Sequence, residues 1–139
     1  MKRLCLYIAM VISLGVLMSA CESKRDDNGD LGGLWQLILR TDANGDTVAT
    51  KGTIYYYFQQ DLMRVQRRNF NEEYLARFSH QGNSLVVGAA YAMPYDNPVS
   101  KEKLAPFGIP ADGQLHFDGL SDSRMQLSGP LGTLRFRKY

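Results

Sequence analysis

The sequence predicts an all-β domain of eight short antiparallel strands, arranged as a sandwich or an up-and-down barrel. Three observations lead there. From Leu31 onward, apolar and polar residues alternate with a period of two. Gly, Asn, Asp and Pro punctuate that alternation at short, regular intervals. No amphipathic segment of roughly 10–15 residues lies between the strands, which excludes βαβ units.

The elements follow in order. Leu34–Arg40 places Trp35, Leu37 and Leu39 on one face, and Asp42-Ala43-Asn44-Gly45-Asp46 then carries an Asn-Gly turn signal. Thr53–Gln60 alternates Ile54, Tyr56 and Phe58 against Tyr55, Tyr57 and Gln59, and Gln60-Asp61 reverses the chain. Leu62–Arg68 sets Met63, Val65 and Arg67 against Arg64, Gln66 and Arg68. After the break at Asn69–Asn71, Tyr74–His80 sets Tyr74, Ala76 and Phe78 against Leu75, Arg77 and Ser79. Leu85–Tyr91 reads as a more buried strand, in which Gly88, Ala89 and Ala90 suit a bend or a close approach. Residues 93–110 hold four of the five prolines and read as a long loop. One short helical turn is expected within it, capped by Ser100 and stopped by Pro106. Gln114–Asp118, Arg124–Ser128 and Thr133–Lys138 complete the eight strands.

The N-terminus reads as an address. Met1-Lys2-Arg3 is basic, and Leu4–Met18 is an uncharged run of 15 residues. That is the layout of a secretory signal and is short for a membrane-spanning helix. Leu17-Met18-Ser19-Ala20-Cys21 resembles the lipobox of bacterial lipoproteins. The resemblance implies cleavage after Ala20 and acylation of Cys21, with anchoring in a membrane. Residues 22–30 contain no apolar side chain and read as a solvated tether. Within it, Ser23-Lys24-Arg25-Asp26-Asp27 resembles the surface-export signal of Bacteroidetes lipoproteins; a charged linker without an address is the alternative. The expected organisation is a signal peptide over 1–20, a lipidated Cys21 with tether over 21–30, and a β domain over 31–139. The expected location is the outer membrane or cell surface.

Composition narrows the function. The chain has 139 residues, 45% hydrophobic and 22% charged, enough for one globular domain. Of its 16 basic residues, two (Lys2 and Arg3) leave with the leader, so the mature chain carries 14 basic against 14 acidic side chains. This balance argues against nucleic acid as a partner. Two cysteines, one of them inside the leader, make neither a disulfide scaffold nor a multi-Cys zinc site.

No catalytic constellation stands out, and no enzyme activity, metal or cofactor is expected. Gly-x-Ser-x-Gly, phosphate-loop and dinucleotide fingerprints are missing from the sequence. His80 and His116 lack a second ligand at metal spacing, and Ser79 and His80 point to opposite faces of their strand. Asp42, Asn44 and Asp46 resemble the start of a calcium loop, but the misplaced Gly and the missing Glu favour a turn.

Gly33-Leu34-Trp35 at the start and Leu134-Arg135-Phe136-Arg137 at the end resemble the lipocalin, or wider calycin, pattern. With the lipobox, the acidic tether and the Tyr-rich second strand, the layout resembles lipocalin-like lipoproteins of Bacteroidetes. The resemblance implies an eight-stranded antiparallel up-and-down barrel. It also implies that Trp35 plugs one end, with Arg135 or Arg137 lying across its ring.

Two functions follow as expectations. The first is binding of a small apolar or amphipathic ligand in the barrel mouth. Trp35, Tyr56, Phe58, Val65, Arg67, Phe78 and Tyr91 would line the site and the 93–110 loop would be its lid. Arg67, if inward, needs a carboxylate or a ligand anion as partner. The second is a protein-interaction or inhibitor module for an envelope partner, with a side-chain-filled barrel. Its surface would include the 93–110 loop and Tyr55 and Tyr57, which alternation turns outward; a partner surface or carbohydrate platform is one reading of the two tyrosines, and ordinary strand packing is the favoured one. The basic cluster Arg64, Arg67, Arg68 and Arg77 reads as an anion site or as a solvated strand face.

Overall fold

The computed structural model describes residues 28–139. The leader, Cys21 and the tether up to residue 27 lie outside the described residues. Eight strands form the barrel wall: β1 (Gly33–Thr41), β3 (Ile54–Gln59), β4 (Leu62–Arg67), β5 (Glu72–Gln81), β6 (Ser84–Ala92), β8 (Gln114–Leu120), β9 (Arg124–Gly129) and β10 (Gly132–Lys138). Two two-residue strands, β2 (Thr47–Val48) and β7 (Asn97–Pro98), pair with β1 and β6. All pairings are antiparallel, and pairing of β1 with β10 closes the barrel. Closure settles the choice between sandwich and barrel.

The expected turns hold the hairpins together. The Asp42 carboxylate accepts from the amides of Asn44 and Asp46, both at 2.9 Å. It therefore organises the β1–β2 turn. The chain reverses at Gln60-Asp61, and Arg68–Phe70 is a 3-10 turn ending at Asn71 in the left-handed region. Residues 28–30, expected in the tether, are joined to the domain: Gly29–Leu31 is a 3-10 turn ending on the fully buried Leu31, and the Asn28 side-chain amide donates to Gln60 O at 2.8 Å.

Alternation fails at bulges, where an extra residue switches every later side chain to the other face. In β1 the register slips between Leu37 and Leu39. Ile38 turns outward, Leu39 leaves the interior face, and Arg40, opposite buried Leu134, takes the inward position. In β6 the slip falls at Gly88-Ala89, opposite Arg77. Ala90 is therefore buried and Tyr91 faces out. Tyr91 does not line the barrel, contrary to expectation.

The two ends are closed differently. At one end lie Trp35 and the 29–31 turn. At the other sits a seven-residue 3-10 helix, Lys101–Phe107, with Leu104 and Phe107 buried and Ile109 buried just past its end. Ser100 occupies the cap position, but its side chain makes no capping hydrogen bond. Pro106 lies inside the last turn instead of stopping it. Gly108, at φ +88°, terminates the helix. This left-handed position favours glycine, and a Cβ there would also press on Leu134.

Candidate functional site

The interior is packed with its own side chains. Trp35, Tyr56, Phe58, Val65 and Phe78 point inward as expected, at 0–9% exposure. Tyr56 and Phe136 ring centroids are 4.6 Å apart, Phe58 and Phe78 5.0 Å, and Tyr74 and Phe107 5.8 Å. These separations are those of aromatic rings in direct contact. The expected lining residues are thus a core, and the expected lid is a plug that seats Phe107 among them.

Open space lies at the mouth, beside the plug. A cleft of about 310 Å³ is bounded by Val48 at the end of β2 and by Ala49, Thr50 and Lys51 after it, by Ile54 and Arg67 at the strand ends, and by Asn69, Phe70, Pro106 and Arg40. Arg40 enters this end because of the β1 bulge. Its two terminal nitrogens donate to Pro106 O at 2.9 Å and Ala105 O at 3.2 Å. Its buried Nε has no hydrogen-bond partner, and none of the described carboxylates pairs with it. Arg67 stands at the rim with the partner that an inward Arg requires: Glu72, at 2.5 Å. Its guanidinium also covers Phe70, 4.0 Å from the ring centroid. Below, the Tyr56 hydroxyl donates to Phe107 O at 2.6 Å. Burial pushes its pKa far above the ordinary tyrosine value, outweighing the lowering by Arg40.

At the closed end Trp35 is fully buried, and its indole N–H donates to Leu31 O at 2.8 Å. The cation over its ring is Lys138, with Nζ 4.6 Å from the centroid and donating to Asp30 O at 2.7 Å. Neither Arg135 nor Arg137 takes this place. The inward positions of β10 are Leu134, Phe136 and Lys138. Arg135 and Arg137 alternate outward, to Gln126 Oε1 at 3.1 Å and Gln36 Oε1 at 2.8 Å.

The sequence model of the lipocalin-like domain matches residues 16–139. The chain belongs to this lipocalin-like family. Its fold is similar to that of a lipocalin-like protein from Bacteroides uniformis, with a TM-score of 0.63 at 22% identity, covering 80% of this chain and 100% of that one. A protein from Bacteroides eggerthii aligns with a TM-score of 0.57 at 20% identity, over 78% of this chain and 99% of that one. A protein from Burkholderia xenovorans aligns with a TM-score of 0.54 at 17% identity, over 78% of this chain and 83% of that one. No curated protein matches the chain.

Two further expectations concern the outer wall of this lipocalin-like barrel. Tyr55 faces outward yet is only 6% exposed: Arg68 lies 3.9 Å above its ring, Tyr139 meets it edge-on at 5.6 Å, and Gln36 donates to its hydroxyl. Tyr57 is half-buried beneath Arg64. These two do not form an open aromatic pair. The basic cluster is also largely compensated. Arg64 faces Glu73 at 3.8 Å, Arg67 holds Glu72, and Arg77 pairs with Asp61. His80 contacts Gly82 O and the Phe117 ring, and His116 lies 3.8 Å from Asp118. Among the described residues, no group of three or more His, Cys, Asp or Glu side chains is placed to hold a metal.

Arg40, Lys138 and the plug residue Phe107 were missed by sequence reasoning. Only Lys138 carried a signal, since it shares parity with Leu134 and Phe136. The role of Arg40 depends on a bulge that no residue pattern in Leu37-Ile38-Leu39 announces.

Proposed function

We propose that this lipocalin-like protein is a non-catalytic binding protein of the cell envelope, anchored through Cys21, that takes a small amphipathic molecule with an anionic head at the barrel mouth. The observation that carries this reading is Arg40. A guanidinium without a carboxylate partner lies at the edge of a cleft whose apolar walls are Val48, Ile54, Phe70 and Pro106 and whose polar walls include Thr50, Thr53 and Asn69. An uncompensated, partly buried cation is costly, and an anionic head offsets it. Lys51 adds a second positive charge to the wall. The apolar residues suit a short hydrocarbon tail, and the cleft volume lies at the lower end for small-molecule sites.

The packed interior favours a second reading, in which the barrel is a rigid scaffold for a protein partner. Calorimetric titration with decanoate and decanol separates the two. Decanoate is expected to bind at least about tenfold more tightly than decanol, and Arg40→Gln to erase the difference. Equal affinities for the two compounds would reject the anionic head. Failure of both to bind, with a clean native mass, would leave the scaffold reading.

A further inference from the structure

The outer wall opposite the bulge in β6 carries a second cleft, of about 290 Å³, lined by Leu62, Leu75, Arg77, Ala89, Tyr91 and Tyr95 among others. We propose that it is a carbohydrate subsite, binding one neutral pyranose ring of a glycan. The proposal is independent of the mouth cleft.

Three observations carry it. The first is how the bulge presents an aromatic ring. The extra residue at Gly88-Ala89 sends Tyr91 out of the core and leaves it 37% exposed. In the cleft its ring is joined by Ala89, two positions back on the same strand, and by Leu75, directly across on β5. Apolar faces of sugars pack against such rings, and the phenol hydroxyl remains available to donate or accept.

The second is the fixing of Tyr95. Its backbone is left-handed, at φ +71°, in a residue with a bulky side chain. Such conformations persist only where surroundings over-determine them. Here they do: the Tyr95 hydroxyl donates to Glu73 at 2.5 Å, and Gln66 donates to the other carboxylate oxygen at 2.5 Å. This second aromatic wall is therefore held in place before any ligand arrives, which lowers the ordering cost of binding.

The third is charge balance. Arg77, the cation of this cleft, is paired with Asp61, and Glu73 behind Tyr95 faces Arg64. No unmatched charge calls for an ion. Arg77, already neutralised by Asp61, instead presents guanidinium N–H donors at the cleft and Tyr91 adds a hydroxyl, partners that neighbouring sugar hydroxyls require. The mouth differs on this point, since Arg40 there lacks a carboxylate.

The test is a titration of the purified protein with maltohexaose, cellohexaose and mannohexaose, and with the acidic hexagalacturonate, followed in heteronuclear amide spectra. At least one neutral oligosaccharide is expected to shift Leu75, Ala89, Tyr91 and Tyr95 while leaving Thr50 and Asn69 at the mouth in place. Tyr91→Ala is expected to weaken that binding about tenfold, whereas Tyr91→Phe, which keeps the ring, retains most of it. Unchanged Trp35 indole and core amide positions certify that both variants fold. Absence of shifts at this cleft with every neutral probe at millimolar concentration overturns the proposal. So does binding of the acidic probe alone, or full affinity in Tyr91→Ala.

Discussion

Tyr56 and Phe107 stand 51 positions apart in the chain, and the hydroxyl of one donates to the backbone carbonyl of the other at 2.6 Å. This bond ties the barrel wall to the helix that plugs its mouth. Both residues are fully buried, so water cannot replace either partner. Tyr56→Phe leaves the carbonyl unsatisfied while keeping the ring. It is expected to cost about 1–3 kcal/mol. At several degrees of Tm per kcal/mol for a domain of this size, calorimetry resolves the loss.

The same hydroxyl sets an alkaline limit. Its pKa is raised by burial far above the ordinary value of 10.0, so the folded protein keeps a proton that the unfolded chain releases. Stability from this group is complete below pH 10 and falls as pH rises above it, by about 1.4 kcal/mol per pH unit. Denaturant titrations between neutral and strongly alkaline pH should show this slope in the wild type. Tyr56→Phe should lose one proton's worth of it and keep the contributions of Tyr74 and Tyr95, whose values are also raised.

The cation over Trp35 offers a comparison among neighbours on one strand. Lys138 carries both the ring contact and the bond to Asp30 O, whereas the exposed Arg135 and Arg137 hydrogen-bond the half-buried glutamines Gln126 and Gln36 of the outer wall. Lys138→Ala is expected to destabilise by about 1–2 kcal/mol. Arg135→Ala and Arg137→Ala should each stay within about 0.5 kcal/mol of the wild type. Urea melts followed by the fluorescence of Trp35 measure all three. An equal loss in Arg137→Ala would return the closing role to the arginine that the sequence pattern suggested.

How far this barrel could be read in advance depended on the kind of signal. Strand number was legible because each reversal carries its own chemistry: Asp42 organises one turn, Gln60-Asp61 another, and Gly82-Asn83 a third. Facing was legible wherever alternation runs unbroken, as in Ile54, Tyr56 and Phe58. It was lost past Ile38, where no residue pattern announces the bulge, and past Gly88, where small residues marked a bend but not the switch of face that follows it. Those two bulges moved the residues that matter for both clefts, bringing Arg40 in and sending Tyr91 out. The burial of Tyr55 depends on Arg68 and Tyr139, and Tyr139 is 84 positions away, so no local pattern holds that information.

Close packing at the seam makes Gly132 a sharp test of closure. It opens β10 at φ +114°, and a Cβ there would collide with Thr41 O and the Asp42 carbonyl. The obstacle is backbone, which cannot rotate aside, and the seam between β1 and β10 is what closes the barrel. Gly132→Ala is expected to cost at least about 3 kcal/mol, combining left-handed strain with overpacking. Gly119→Ala, where nothing lies within 4 Å of the added Cβ, is expected to cost less than about 1 kcal/mol.

Acid acts on the outer wall through Glu73. Burial raises its pKa, but the hydrogen bonds from Tyr95 and Gln66 and the charge of Arg64 outweigh this and hold it below the ordinary carboxyl value. A lowered folded value means stability that is present above pH 4.5 and is lost as pH falls through the folded pKa. Protonation then weakens the carboxylate's hold on the Tyr95 hydroxyl, and the strained turn is free to move. Amide exchange of residues 93–97 should therefore quicken at acid pH, relative to its intrinsic rate, before the core opens. Glu73→Gln should show that faster exchange already at neutral pH. Exchange in this turn that tracks global unfolding at every pH would show that Glu73 does not hold it.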